Sequence, residues 1–475
     1  MRRLFANLAR CVPALVCPCV VLVVLSAVLS AQEPAPPPAP QSPPADQSQT
    51  PVPHAAPKHR PPFPNRLNEV MPPWLRVRGE FRERAEGVVN SGFVDGRDDL
   101  YYLSRFRFNA AATGKAMAAT VQLQDARVGN KSVGPTGTPF TASFDLRQGF
   151  VDLHARAVGK TQIGGRFGRQ EIAFGDQRLV GHANWINSGR TFDAARVTVK
   201  SRPAQIDLFA ASVVRILDGE FDKSGNGNRF AGAYVSSGRI LPQGTAEPYL
   251  FWRRDLNLRA ETGPPDSLQQ VTTGVRLVGT LPARLDYNVE MAVQRGSLGL
   301  DSVRAWAGHW QIRETLEGSR TPHATAEYNY ASGDADPVDG IRGTFDQLYP
   351  TAHDKYGLAD QVGWRNIHHV RLGFDITPIK ATPISVNYHS YWLAEKRDAL
   401  YAASGAALAR IPAGAASRRV GQEIDVQVAR PLTPYLVITA GYSHLVAGPF
   451  LKQATPGESY SGPFVMATYV FLADK

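Results

Sequence analysis

The sequence predicts an all-β protein: a transmembrane antiparallel β-barrel of about 18 strands, with short periplasmic turns and long extracellular loops. Three observations predict it. The connectors alternate short and long along the chain, the segments between them alternate apolar and polar residues, and no membrane helix is available beyond residue 31. The short connectors include residues 113–115, 200–203, 279–282 and 429–432, and the long ones residues 129–143, 217–227, 331–366 and 395–417. One short rim and one long rim distinguish such a barrel from a soluble sandwich, which also alternates. The mean hydropathy of -0.23 fits strands with one wet face.

The N-terminus reads as an address. Arg2, Arg3 and Arg10 precede an apolar run over residues 12–29 and small residues at Ser30-Ala31. This is the pattern of a secretory signal over residues 1–31, cleaved near residues 30–31, with an uncleaved anchor helix as the alternative. Cys11, Cys17 and Cys19 all fall inside it, so a mature chain carries no disulfide framework. Residues 32–73 are proline-rich and predict a disordered periplasmic leader, and residues 74–475 form the barrel. The formal charge of +10 suits nucleic acid, lipopolysaccharide or a pore for anions, and the charge alone does not choose among them.

Successive strand side chains point to opposite faces. From Trp74, the positions Leu75, Val77, Gly79 and Phe81 face one way, and Arg76, Arg78, Glu80 and Arg82 the other. Ser104, Phe106 and Phe108 oppose Arg105, Arg107 and Asn109. Leu285, Tyr287, Val289 and Met291 oppose Asp286, Asn288 and Glu290, and Ile424, Val426 and Val428 oppose Glu423, Asp425 and Gln427. Aromatic pairs near strand ends (Tyr101/Tyr102, Phe251/Trp252, Tyr391/Trp392, Tyr469/Phe471) predict membrane–water girdles. The final strand sets Val465, Ala467, Tyr469 and Phe471 on one face, as a terminal assembly signal would, although four residues follow it.

Three long strings resemble the alginate-export family of outer-membrane porins. They are Arg-Phe-Gly-Arg-Gln-Glu-Ile-Ala-Phe-Gly-Asp-Gln-Arg-Leu-Val-Gly at residues 166–181, Trp-Ile-Asn-Ser-Gly-Arg-Thr-Phe-Asp at 185–193, and the loop at 345–360 followed by Trp364-Arg365-Asn366. The resemblance implies an 18-stranded monomeric barrel in the bacterial outer membrane, exporting an anionic polysaccharide through an arginine-rich lumen. The lumen positions expected are Arg76, Arg78, Arg105, Arg107, Arg166, Arg196, Arg276 and Arg371, with the acids Asp152, Glu290, Glu327, Asp375, Glu423 and Asp425. Taken singly, each such pair reads first as a space-filling salt bridge, and the set taken as a ring reads as a selectivity device. Expected partners are the lipid bilayer, lipopolysaccharide, the anionic polysaccharide and periplasmic export components, without nucleic acid. The family's long periplasmic loop near the barrel's end has no counterpart here, because residues 429–434 form a tight turn.

No residue constellation predicts an enzyme. His353-Asp354-Lys355-Tyr356 lies in a long loop and reads as loop ordering rather than as a uronate lyase site. His368 and His369 point to opposite faces of a strand and cannot share a metal. Asp334, Asp336 and Asp339 miss the EF-hand spacing, which leaves weak loop calcium as the one cofactor to consider. Gly225-Asn226-Gly227 reads as a turn. The alternative function is a general or uptake porin for small anionic solutes.

Overall fold

A computed structural model describes residues 67–471 except 242, 261–264 and 319. The expected signal peptide, most of the expected proline-rich leader and the last four residues lie outside the described residues. Within the leader's assigned span, a one-turn helix α1 (Leu67–Val70) docks on the first strand: the Asn68 side chain accepts from the Val77 amide at 3.0 Å and donates to its carbonyl at 2.7 Å.

The strands are β1 (Leu75–Val88), β2 (Asp99–Thr113), β3 (Met117–Gly129), β4 (Ala142–Val158), β5 (Thr161–Gln170), β6 (Phe192–Ser201), β7 (Ala204–Arg215) and β8 (Lys223–Leu241). They continue with β9 (Gly244–Arg259), β10 (Pro265–Leu281), β11 (Leu285–Leu298), β12 (Asp301–Thr315), β13 (His323–Ala331), β14 (Ile341–Arg342), β15 (Ile367–Ile379), β16 (Thr382–Leu393), β17 (Leu400–Tyr401) and β18 (Ala407–Ala409). The last are β19 (Arg419–Thr433), β20 (Leu436–Ala447) and β21 (Tyr460–Phe471), with the short helix α2 (Pro449–Ala454) between them. β14 joins β12 in parallel from a loop, and β17 pairs only with β18. The remaining 18 strands run antiparallel, and β1 pairs with β21 from Gly79↔Phe471 to Glu86↔Phe464, closing the cylinder. Closure leaves no sheet edge, as lipid demands of any spanning sheet.

The rims alternate with one exchange. β11 and β12 join through Gly299 and Leu300 on the long rim, whereas residues 316–322 make a longer link on the short rim. The link after β19 is short, but β19 runs on to Thr433, so the turn is Pro434-Tyr435 rather than residues 429–432. Gly225 and Gly227 lie inside β8, not in a turn. Gly227 takes φ +77° there, within a bulge of β8 between the pairs Ser212↔Arg229 and Val214↔Ser224.

The apolar faces point outward. Phe81, Phe167, Leu208, Leu250, Val293, Trp306, Leu372 and Ile424 are all exposed large hydrophobics, and Ile424 at 52% stands between Glu423 at 1% and Asp425 at 2%. That inversion of the soluble pattern identifies the outer wall as a lipid belt. The girdle expectation holds for Tyr102, Tyr469 and Phe471, which lie on the outer face, and Tyr102 is exposed. It fails for Tyr101, Phe251 and Tyr391, which turn inward and are buried. Parity forces this, since adjacent aromatics on a strand cannot share a face.

Candidate translocation pathway

All the expected lumen residues lie on the inward face, but they form two layers. Arg105, Arg107, Arg276, Glu290, Glu327, Glu423 and Asp425 are buried, whereas Arg76, Arg78, Arg166, Arg196, Arg371, Asp152 and Asp375 retain solvent access. The buried layer is covered by extracellular loops that fold into the barrel.

The first of these, residues 171–191, leaves β5 and crosses the lumen. Its Asn184 is a hub. The Asn184 carbonyl accepts from Arg82 Nη1 at 2.8 Å and Arg105 Nη1 at 2.9 Å, and its Oδ1 accepts from Arg107 Nη1 at 2.9 Å and Arg147 Nη2 at 3.5 Å. Arg84 donates to the Trp185 carbonyl at 2.7 Å and lies 3.8 Å over its ring. Gly189, at φ +71°, permits this crowding: a Cβ there would sit 2.9 Å from both Arg107 Nη2 and Arg147 Nη2. Asn187 donates to the carbonyls of Ser104, Arg127 and Phe140, pinning the loop to the β2–β3 wall.

At its other end this loop meets an aromatic wall. Phe174 stacks on Tyr234 at 4.6 Å and packs against Phe209 and Phe251. Arg178 pairs with Glu327 at 3.1 Å and Asp176 at 3.2 Å. Burial opposes ionisation of Asp176, but Lys355, Arg178 and Arg276 outweigh it and hold the carboxyl well below its ordinary range. Glu171 behaves alike: burial would raise it, yet Arg147, His182 and Arg107 bring it down to about 2.

The second loop, residues 332–366, lies alongside. Val180 bridges Tyr349 in parallel, with Gly181 N to Tyr349 O and Tyr349 N to Leu179 O both at 2.8 Å. Farther on, the Leu358 amide donates to Asp425 and the Ala359 amide to Glu423, each at 2.9 Å. Tyr391 adds a hydroxyl to Glu423 at 3.0 Å. His353 stacks on Trp185 at 3.7 Å, and Tyr356 reaches Arg178, so this string ties the two loops together. Residues 394–418 cover them: Asp398 accepts from Thr344 at 2.6 Å, and Gln347 donates to the Ala403 carbonyl at 2.8 Å. An apolar core thus forms inside the bore, where Ile172, Phe345, Val362 and Trp364 meet Phe230, Tyr249 and Phe251.

Beneath this plug ion pairs line the wall, each keeping its arginine partly accessible: Arg166–Asp152 at 2.7 Å, Arg196–Asp207 at 2.9 Å, Arg371–Glu327 and Arg313–Asp375 at 3.4 Å. Arg276 pairs with Glu247 at 2.7 Å, and Glu290 accepts from the Tyr249 hydroxyl at 2.9 Å. His368 bonds Tyr328 on the outside while His369 is buried inside. Asp336 is engaged by Arg397 at 3.0 Å, and no three His, Cys, Asp or Glu side chains converge on a metal position among the described residues. Sequence reasoning missed Arg84, Arg147 and Asn184, and set Arg82 on the right face without including it in the pathway. Parity would have extended the list along β1 to Arg82 and Arg84, but nothing in the sequence marked Asn184.

One loop carboxyl shifts the other way. Burial and the adjacent Asp145 raise Asp222, between β7 and β8, to about 6, against an accepted bond from the Leu217 amide at 3.0 Å. A raised carboxyl favours the protonated fold, so its contribution is fully present below the unfolded value near pH 4 and is lost as pH rises through about 6. Amide exchange of residues 216–222, corrected for intrinsic rates, is expected to speed up between about pH 5 and 7.5. Asp222→Asn should flatten that dependence, and an unchanged profile would refute the assignment.

Among solved structures the chain resembles OccK5 (OpdH) of Pseudomonas aeruginosa, at 12% identity over 84% of this chain and 98% of that one, with a TM-score of 0.55. It also resembles OccK11 (OpdR) of the same organism (12%, 84% and 96%, 0.54) and OccAB2 of Acinetobacter baumannii (9%, 84% and 98%, 0.52). At such identities the likeness is one of fold. No curated protein matches the sequence. The family described as alginate export matches residues 73–462, which takes in nearly all of the barrel and both infolded loops. The chain is therefore an outer-membrane channel belonging to the alginate export family.

Proposed function

We propose that the barrel exports an anionic polysaccharide of the uronate type along the arginine-bearing wall of β1–β4. The observation that carries this reading is the Asn184 hub. Four guanidinium groups converge on one residue's two oxygens, and Arg82 and Arg107 form no ion pair among the described residues. Neutral oxygens in place of carboxylates leave that wall more basic than its acids balance. A uronate chain brings one carboxylate per sugar and would exchange such contacts in sequence. Arginine suits this through its permanent charge and forked donors. The ion pairs beneath keep each contact weak, as passage requires.

A second reading, conduction of small anionic solutes, draws support from the plug, whose packed loops leave less room for a polymer. Planar-bilayer recordings with oligouronates of increasing length discriminate the two. Block that deepens with chain length is expected for the polymer path. Length-independent block favours small anions, and a cation-selective current without block would sink both.

A further inference from the structure

We propose that the outer wall of β8–β12 binds the phosphate groups of lipid A through a row of outward-facing arginines: Arg229, Arg254, Arg295 and Arg304. Their direction follows from parity. Arg254 shares the face of Leu250 and Trp252, Arg295 that of Met291 and Val293, and Arg304 that of Trp306. Arg229 stands opposite Arg254, and Arg295 opposite Arg304. All but Arg254 are exposed, and Arg254 is half-buried.

Their height follows from the registers. Strand tilt makes hydrogen-bonded rows climb around the wall. The row beginning at the periplasmic turn, Leu281↔Leu285, passes Glu314, Ala324, Phe374, Val386, Val426 and Tyr442 and reaches Pro463 near the extracellular end of β21. The row through Arg254 meets Ser297 on β11 and Ser302 on β12. Arg295 and Arg304 lie two residues nearer the periplasm on their strands, which offsets that climb. The four therefore stand at one level, directly above the apolar belt formed by Leu250, Val293 and Trp306, where outer-leaflet headgroups lie.

Like charges directly opposed on a sheet destabilise it unless something neutralises them. None of the four forms an ion pair among the described residues. By contrast, Arg127 on the far wall is paired with Asp125 at 2.9 Å. Arg295 Nη1 donates to the Gln294 carbonyl at 2.7 Å, which fixes its plane and leaves its other nitrogens for a ligand. A bis-phosphorylated glycolipid, with acyl chains against the belt below, supplies the missing anions with forked geometry.

The test is native mass spectrometry of the detergent-solubilised full chain with added bis-phosphorylated lipid A, dephosphorylated lipid A or phosphatidylglycerol. Retention of the bis-phosphorylated form is expected to exceed both others and to fall at least about tenfold when all four arginines become serine. The fourfold lysine variant should keep part of it, and heat-modifiable gel migration verifies that each variant has folded. Equal retention by the serine variant would overturn the proposal. So would retention indifferent to phosphate, or matched by phosphatidylglycerol. Conductance through the lumen is a separate readout, so failure here leaves the export reading standing.

Discussion

Replacing Arg82, Arg105 and Arg107 together by serine is expected to reverse the ion preference of the channel. These residues put three guanidinium groups on one patch of the β1–β2 wall, and only Arg105 has a carboxylate partner, Glu80 at 2.6 Å. Their removal leaves Glu80, Glu86 and Glu171 in place, with Arg84 and Arg147 as the remaining nearby cations. The reversal potential in a salt gradient should move from the anion side toward the cation side. The same variant strips Asn184 of three of its four donors. A hydrogen bond from a charged donor contributes about 1.5–3 kcal/mol, so residues 182–189 should lose their order and become open to protease. Triple lysine should keep the selectivity yet recover only part of the loop's protection, because an ammonium is a single compact donor group without the guanidinium's planar, spread fork. An unmoved reversal potential in the serine variant would show that this wall does not set the ion preference.

That expectation depends on groups only partly legible in the sequence. The wall itself was legible, because every strand residue meets one of two environments and the pattern records which. Ile424 between Glu423 and Asp425 is such a case. The bore's filling was not. Loop residues have no period, and the loop meets Arg82 and Arg105 mainly through backbone carbonyls, which every residue possesses. Asn184 is one of many loop asparagines until the fold brings four arginines to it. The strings at 166–181, 185–193 and 345–360 were distinctive without revealing why. In the structure they are largely the segments that cross the lumen, and their unusual composition reflects a second core inside the first. The aromatic pairs misled for a related reason. Phe251 and Tyr391 sit where a girdle would, but they face inward to receive the loops.

Trp364→Ala is expected to unpack the plug and leave the barrel closed. Trp364 is fully buried, donates its indole N–H to the Tyr330 carbonyl at 3.0 Å, and packs on Phe345 at 5.5 Å and Tyr356 at 6.3 Å between ring centres. Truncating such a side chain costs about 3–5 kcal/mol. That cost falls on the infolded loops, since the strand ladders, including the β1–β21 closure, do not pass through Trp364. Unheated and heated samples should therefore still migrate differently on gels, while residues 345–360 gain amide exchange and protease sensitivity. Single-channel conductance should rise severalfold, and oligosaccharides too large for the parent channel should pass. Ile424→Ala, which shortens a lipid-facing side chain on the wall that holds Glu423 and Asp425, serves as the control and should leave conductance unchanged. If the Trp364 variant has freely exchanging loops but parental conductance, the loops do not limit passage and the constriction lies lower, among the ion pairs of Arg166, Arg196 and Arg371. If the plug loosens and conductance rises, the height of the barrier is set by loop packing, and the arginines of the β1–β2 wall determine which charge crosses it.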